Sequence, residues 1–164
     1  GFRHRKGYEY NKMWIANSTA VRARTVWDYL GEQGKKSILV GVPPSYPPKP
    51  VTGELVSCFI TPSKEKSYTY PEELRTEIEE RFGPFVFDVV FRTEDRSEVL
   101  KEIYQMTENH FQVVDYLLDR QDWSLFWLVE IGVDRMHHAF WKFMDKNHHL
   151  YQPGNPLKSA IYDY

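Results

Sequence analysis

Three short apolar runs constrain this chain more than any other feature: "SILVGV" at residues 37–42, "LVSCFI" at 55–60 and "LFWLVEI" at 125–131. Their apolar residues scarcely alternate with polar ones, and each run is shorter than an ordinary core helix. That pattern belongs to strands covered on both sides. Segments of helical periodicity lie between them, and no Asn-Gly or Asp-Gly hairpin turn connects one run to another. Buried strands alternating with helices predict an α/β fold, a mainly parallel sheet with helices on both faces.

The helical segments carry their own punctuation. "AVRARTVWDYL" at 20–30 follows Asn17, Ser18 and Thr19, all able to cap a helix, and Gly31 and Gly34 close it. "PEELRTEIEERFG" has Pro71 in its first turn, acidic residues early and Gly83 at its end. From 96 to 120, Val99, Ile103, Met106, His110, Val113, Val114, Leu117 and Leu118 recur at steps of three and four, so one long amphipathic helix is expected. His110 lies within that stripe and reads as a packed core histidine. "PFVFDVVF" at 84–91 reads as a further strand, and residues 1–17 as an irregular lead-in.

Composition narrows the functional classes. At 164 residues, 41% hydrophobic and 27% charged, the chain suits a single α/β domain over 1–164. Its net charge of −2, without a basic block, offers no basis for counterion-release binding, so no specific nucleic-acid partner is expected. Cys58 is the only cysteine, which excludes an intrachain disulfide and a CxxC site and fits a reducing, cytoplasmic setting. The longest apolar run, Leu125 to Val129, falls far short of the ~20 residues that span a bilayer, so no membrane partner is expected. The sequence opens on Gly1, and "NPLKSAIYDY" stops within what reads as a helix. These ends suggest an excised part of a larger protein, with the remainder of the parent polypeptide as partner.

Two stretches carry candidate chemistry. "VPPSYPPKP" places Pro43, Pro44, Pro47, Pro48 and Pro50 around Ser45 and Tyr46, a stiff extended loop just past a strand. Open α/β sheets bind ligands at such strand ends, although a rigid connector or docking peptide would read the same way. "LVEIGVDRMHHAFWKFMD" at 128–145 passes from strand to helix. Met136, Ala139, Phe140, Phe143 and Met144 form an apolar stripe, while Asp134, His138, Trp141 and Asp145 fall opposite and His137 lies between. At i and i+4 the Asp134 carboxylate and the His138 imidazole can converge on a point beside the first turn, which suits a divalent ion. The same residues also read as a helix N-cap followed by solvated histidines.

The runs "TVWDYLGEQGKKSILVGVPPSYPPKPVTGELVSCFITPS", "YTYPEEL" and "WSLFWLVEIGVDRMHHAFWKFMDKNHHLY" appear in that order. Together they resemble the type I phosphodiesterase/nucleotide pyrophosphatase family of the alkaline phosphatase superfamily. The resemblance covers roughly residues 1–151. It implies a partial alkaline-phosphatase-like fold and metal-dependent cleavage of a small phosphoester substrate. Asp134 and His138 would be ligands of one metal in a two-metal centre, with zinc ions or alternatively manganese. It also places Ser45, Tyr46, Thr61 and Ser63 at strand ends where substrate-binding walls are expected. The family's nucleophile, carried upstream, and its downstream Asp-His-Gly motif have no counterpart here, so no catalytic nucleophile is assigned and the isolated chain is expected to be inactive. A phosphomutase of the same superfamily and a non-catalytic binding module remain as alternatives.

Overall fold

The three apolar runs meet in one sheet. The protein is described by a computed structural model over residues 2–9, 11–120 and 122–164. In chain order the elements are β1 (Arg3–Arg5), β2 (Met13–Ile15), α1 (Val26–Glu32), β3 (Lys36–Val40), β4 (Gly53–Val56), β5 (Thr69–Tyr70), α2 (Glu73–Phe82), α3 (Arg96–Leu118), β6 (Trp123–Leu128), α4 (Gly132–Met144) and α5 (Ala160–Asp163). The main sheet runs β5-β4-β3-β6. β3 is parallel to both β4 and β6, and only the short β5 is antiparallel to its neighbour.

The continuous apolar character of β3 follows from where its side chains go. Ile38 and Val40 join Val56, Tyr68, Leu74, Ile78, Val113 and Leu117 in one cluster. Leu39 joins Leu55 and Val42 in another, against Trp27, Leu125 and Val129. Alternate residues of a strand point opposite ways, so the stretch 38–40, lying between two apolar clusters, spares no position for a polar side chain. A third cluster binds Val99, Ile103 and Met106 of α3 to Met136, Ala139, Phe140 and Phe143 of α4 and Ala160 of α5. Among the described residues no helix is long and apolar enough to cross a membrane.

Several local expectations are corrected. The lead-in forms an antiparallel hairpin, with Arg3 opposite Ile15 and Arg5 opposite Met13. The helix expected from residue 20 begins at Val26. Thr25 and Asp28 close a reciprocal capping box there, while Asn17 caps only a short 3-10 turn, Ser18–Ala20. The ladder of β4 ends at Val56, and Phe59 and Ile60 lie in a turn closed by Thr61 N donating to Cys58 O. β6 lies at the edge of the sheet and is half-buried rather than enclosed. Residues 84–91 form no ladder at all.

Candidate metal centre

β6 delivers the chain to the C-terminal end of the sheet, and α4 starts four residues after its last strand residue. Ile131, in the cap position, offers no side-chain hydrogen bond to the helix. Glu130 supplies one instead, its Oε1 accepting from Gly132 N at 2.6 Å while Oε2 faces His110 Nδ1 at 2.5 Å. Asp134 therefore lies inside the first turn of α4, where the helix dipole favours a carboxylate, and not at the cap or on the strand itself.

Asp134 Oδ2 lies 3.6 Å from His138 Nε2, with both side chains about half exposed. That separation exceeds a normal hydrogen bond, yet it suits two donors that each approach one ion at about 2.0–2.2 Å. His138 is stacked against Phe91, ring centroids 5.3 Å apart and planes inclined by 29°. His137 turns aside and meets the edge of Trp141. The helix's other face holds Met136, Ala139, Phe140 and Phe143 in the core.

Arg135 occupies the buried side of the same turn. Its guanidinium grips both oxygens of Asp88, Nε to Oδ1 at 2.5 Å and Nη2 to Oδ2 at 2.7 Å, and Nη1 donates to Asp134 Oδ2 at 2.5 Å. Burial alone would lower its pKa, but hydrogen bonding and charge from Asp88 and Asp134 outweigh it and hold Arg135 above its ordinary value. The cation is locked on.

Asp134 and His138 fit a divalent ion in donor chemistry and spacing, as two donors of a site. Among the described residues no group of three or more His, Cys, Asp and Glu side chains could hold a metal, so the further donors such an ion needs do not stand beside this pair.

The four substrate-binding candidates separate into two places. Ser45 is buried and lines a cavity of about 310 Å³ with Thr25, Trp27, Val42 and Lys49. Tyr46 is half-buried in the same proline loop, its carbonyl accepting from Ser18 N at 2.7 Å. Thr61 and Ser63 instead line an open cleft of about 490 Å³ with Lys64, Phe85, Phe87 and Asp88. Thr61's hydroxyl is already engaged with Ser57 Oγ and Cys58 O, both at 2.7 Å. Only the second cleft reaches Asp88 and, through it, the Arg135–Asp134 contact.

Comparison with known families covers most of the chain and names no individual residue. The family model for type I phosphodiesterase / nucleotide pyrophosphatase matches residues 1–151. The chain belongs to that family. No curated protein and no solved structure matches it. Members of the type I phosphodiesterase / nucleotide pyrophosphatase family are phosphoester hydrolases that act on small phosphoester substrates and typically depend on divalent metal ions.

Sequence reasoning missed Asp88, Phe91, Glu130 and Arg135. A signal existed for two of them: Asp88 is the lone charge in "PFVFDVVF", and Arg135 falls on the buried side of α4, where a guanidinium must find a carboxylate. Nothing in the spacing of residues 88 and 135 joins them.

Proposed function

We propose that this chain is part of a metal-dependent phosphohydrolase in which Asp134 and His138 supply two ligands of one divalent ion. The ion is zinc, with manganese as the alternative. Residues 1–164 form one domain of an alkaline-phosphatase-like α/β fold with helices on both faces of the sheet, and the nucleophile comes from elsewhere in the parent polypeptide. The observation that carries this reading is the 3.6 Å separation of Asp134 Oδ2 and His138 Nε2 on one side of α4. Family membership supports the phosphoester class.

When bound, the ion supplies Lewis acidity and positive charge to a phosphoryl group. Asp134 contributes the anionic donor and His138 a neutral nitrogen donor. Phe91 keeps the imidazole plane from turning away. The cleft holding Thr61, Ser63 and Lys64 is the place for the substrate, because it opens beside Asp88 and offers a hydroxyl and an ammonium to phosphoryl oxygens. Ser45 and Tyr46 lie on the proline loop and would contact a more distant part of the substrate.

The test uses bis(p-nitrophenyl) phosphate and p-nitrophenyl phosphate with a longer polypeptide that includes this segment, stripped of metal and then resupplied with zinc or manganese. Turnover should return only with metal. Asp134→Asn and His138→Ala should each lower it about 100-fold or more, since even the outer partners of metal ligands cost about 10–100-fold when lost. The 164-residue chain alone should show no turnover. Undiminished activity in both variants would remove the ligand assignment.

A further inference from the structure

Arg135 is only 7% exposed, and its three carboxylate contacts do not all serve its burial. The two-pronged fork to Asp88 already matches one buried positive charge with one negative charge. The remaining donor, Nη1, reaches Asp134, whose side chain is 48% exposed and which water would solvate unaided. A purely structural ion pair between α4 and the 84–91 segment would be complete without that third bond.

We propose that Asp88 and Arg135 are a positioning pair that fixes the Asp134 carboxylate for cation binding. This rests on the reading of Asp134 and His138 as metal ligands. An unrestrained carboxylate on an exposed helix face samples several rotamers and loses that freedom when it captures an ion. The Nη1 bond takes up this ordering beforehand, and it holds Oδ2, the same oxygen that stands 3.6 Å from His138 Nε2 and keeps a further lone pair for the ion. Charge explains why the pair needs both members. Arg135 alone would cancel Asp134 and repel a divalent ion. Asp88 restores the balance, so the three groups together remain net negative by one charge.

The second ligand is oriented by the same segment. Phe91, three residues after Asp88, stacks on His138 and also lies under the Arg135 guanidinium, its centroid 4.7 Å from Cζ. Arg96 Nη1 donates to the Phe91 carbonyl at 2.5 Å, tying the backbone that carries that ring to the start of α3. Both ligands thus take their orientation from residues 88–91, a stretch that contributes no ligand itself.

The test follows zinc binding at His138 by imidazole NMR in an isotopically labelled longer polypeptide that includes this segment, with the amide spectrum and the thermal midpoint as controls for folding. Zinc should shift the His138 signals saturably in the native chain and not in Asp134→Asn. Arg135→Lys keeps the charge but loses the fork, and Asp88→Asn loses the balancing charge. Each should raise the apparent Kd for zinc about 10-fold or more while the fold persists. The paired variant Asp88→Leu/Arg135→Met leaves the net charge of the group unchanged and fills the space with apolar atoms. It too should bind zinc about 10-fold more weakly, and it carries the test if Asp88→Asn does not fold. Native affinity in Arg135→Lys, or in the paired variant, would overturn the positioning role. Absence of any zinc response at His138 in the native chain is a different result and would overturn the ligand assignment beneath it.

Discussion

His110 shows how one buried side chain can organise several elements. Only 4% exposed, it stacks on Phe85, with Nε2 donating to Val86 O and Nδ1 set against Glu130, which in turn caps α4 through Gly132 N. His110→Phe would leave the Glu130 carboxylate half-satisfied in the interior and should cost about 3–5 kcal/mol, measured by urea unfolding. Glu130→Gln should cost much less, because an amide can accept from Gly132 N and donate to a neutral His110. A second residue-scale expectation concerns alkaline pH. Burial, and then the Glu79 charge, push the Tyr68 hydroxyl up to about 12. Tyr68 is an acid whose folded pKa exceeds its unfolded value near ~10, so its contribution is complete below pH ~10 and is lost as pH rises through about 12. Tyr68→Phe should flatten the stability profile in that window. At this scale the sequence revealed His110 as a core residue, because its place in the apolar stripe is a local fact. It did not reveal Glu130 or Asp88 as partners, because those contacts join segments far apart in sequence.

Among the elements, β3 was the most legible, since a strand that must be apolar on both faces leaves an unbroken run. The 84–91 segment produced a similar run without becoming a strand. Its backbone is satisfied by a helix: Val86 N donates to Asn109 Oδ1 at 3.0 Å, and Val86 O accepts from His110 Nε2. Two polar side chains of α3 take the place of a neighbouring strand, and apolar patterning cannot distinguish that arrangement from a ladder. The pair Asp134 and His138 was legible because i and i+4 are neighbours on any helix, whereas the beginning of α1 was obscured by several capping residues in succession. The turn that ends β3 yields a sharper test. Gly41 has φ +69°, and a Cβ there would lie 2.6 Å from Val129 O. Gly41→Ala combines a left-handed backbone with a clash against main chain and should cost at least about 2 kcal/mol. A melting midpoint equal to the native one would show that the β3–β6 junction yields more easily than its geometry indicates.

For the molecule as a whole, α5 and the residues before it close the third cluster. Leu157, Ile161 and Tyr164 pack against Met106, Met136 and Phe143, and Tyr164 hydroxyl meets Thr107 Oγ1 at 2.5 Å. Removing residues 157–164 should lower the thermal midpoint and increase binding of a dye that reports exposed apolar surface, because the α3–α4 seam loses its cover. An unchanged midpoint would mean that α5 only rests on the seam. The order of the main sheet has a consequence in time. β3 finds β4 after a short loop, but its other partner, β6, arrives only after β5, α2 and all of α3 have passed. Closing that longer loop costs more chain entropy, and contacts between distant segments slow folding. The helix bearing Asp134 and His138 follows directly from β6, so these two residues are expected to reach their places late, which pulsed hydrogen exchange during refolding would check. A cation that binds them has little to hold until the chain is nearly folded, and its grip then acts chiefly on the rate of unfolding.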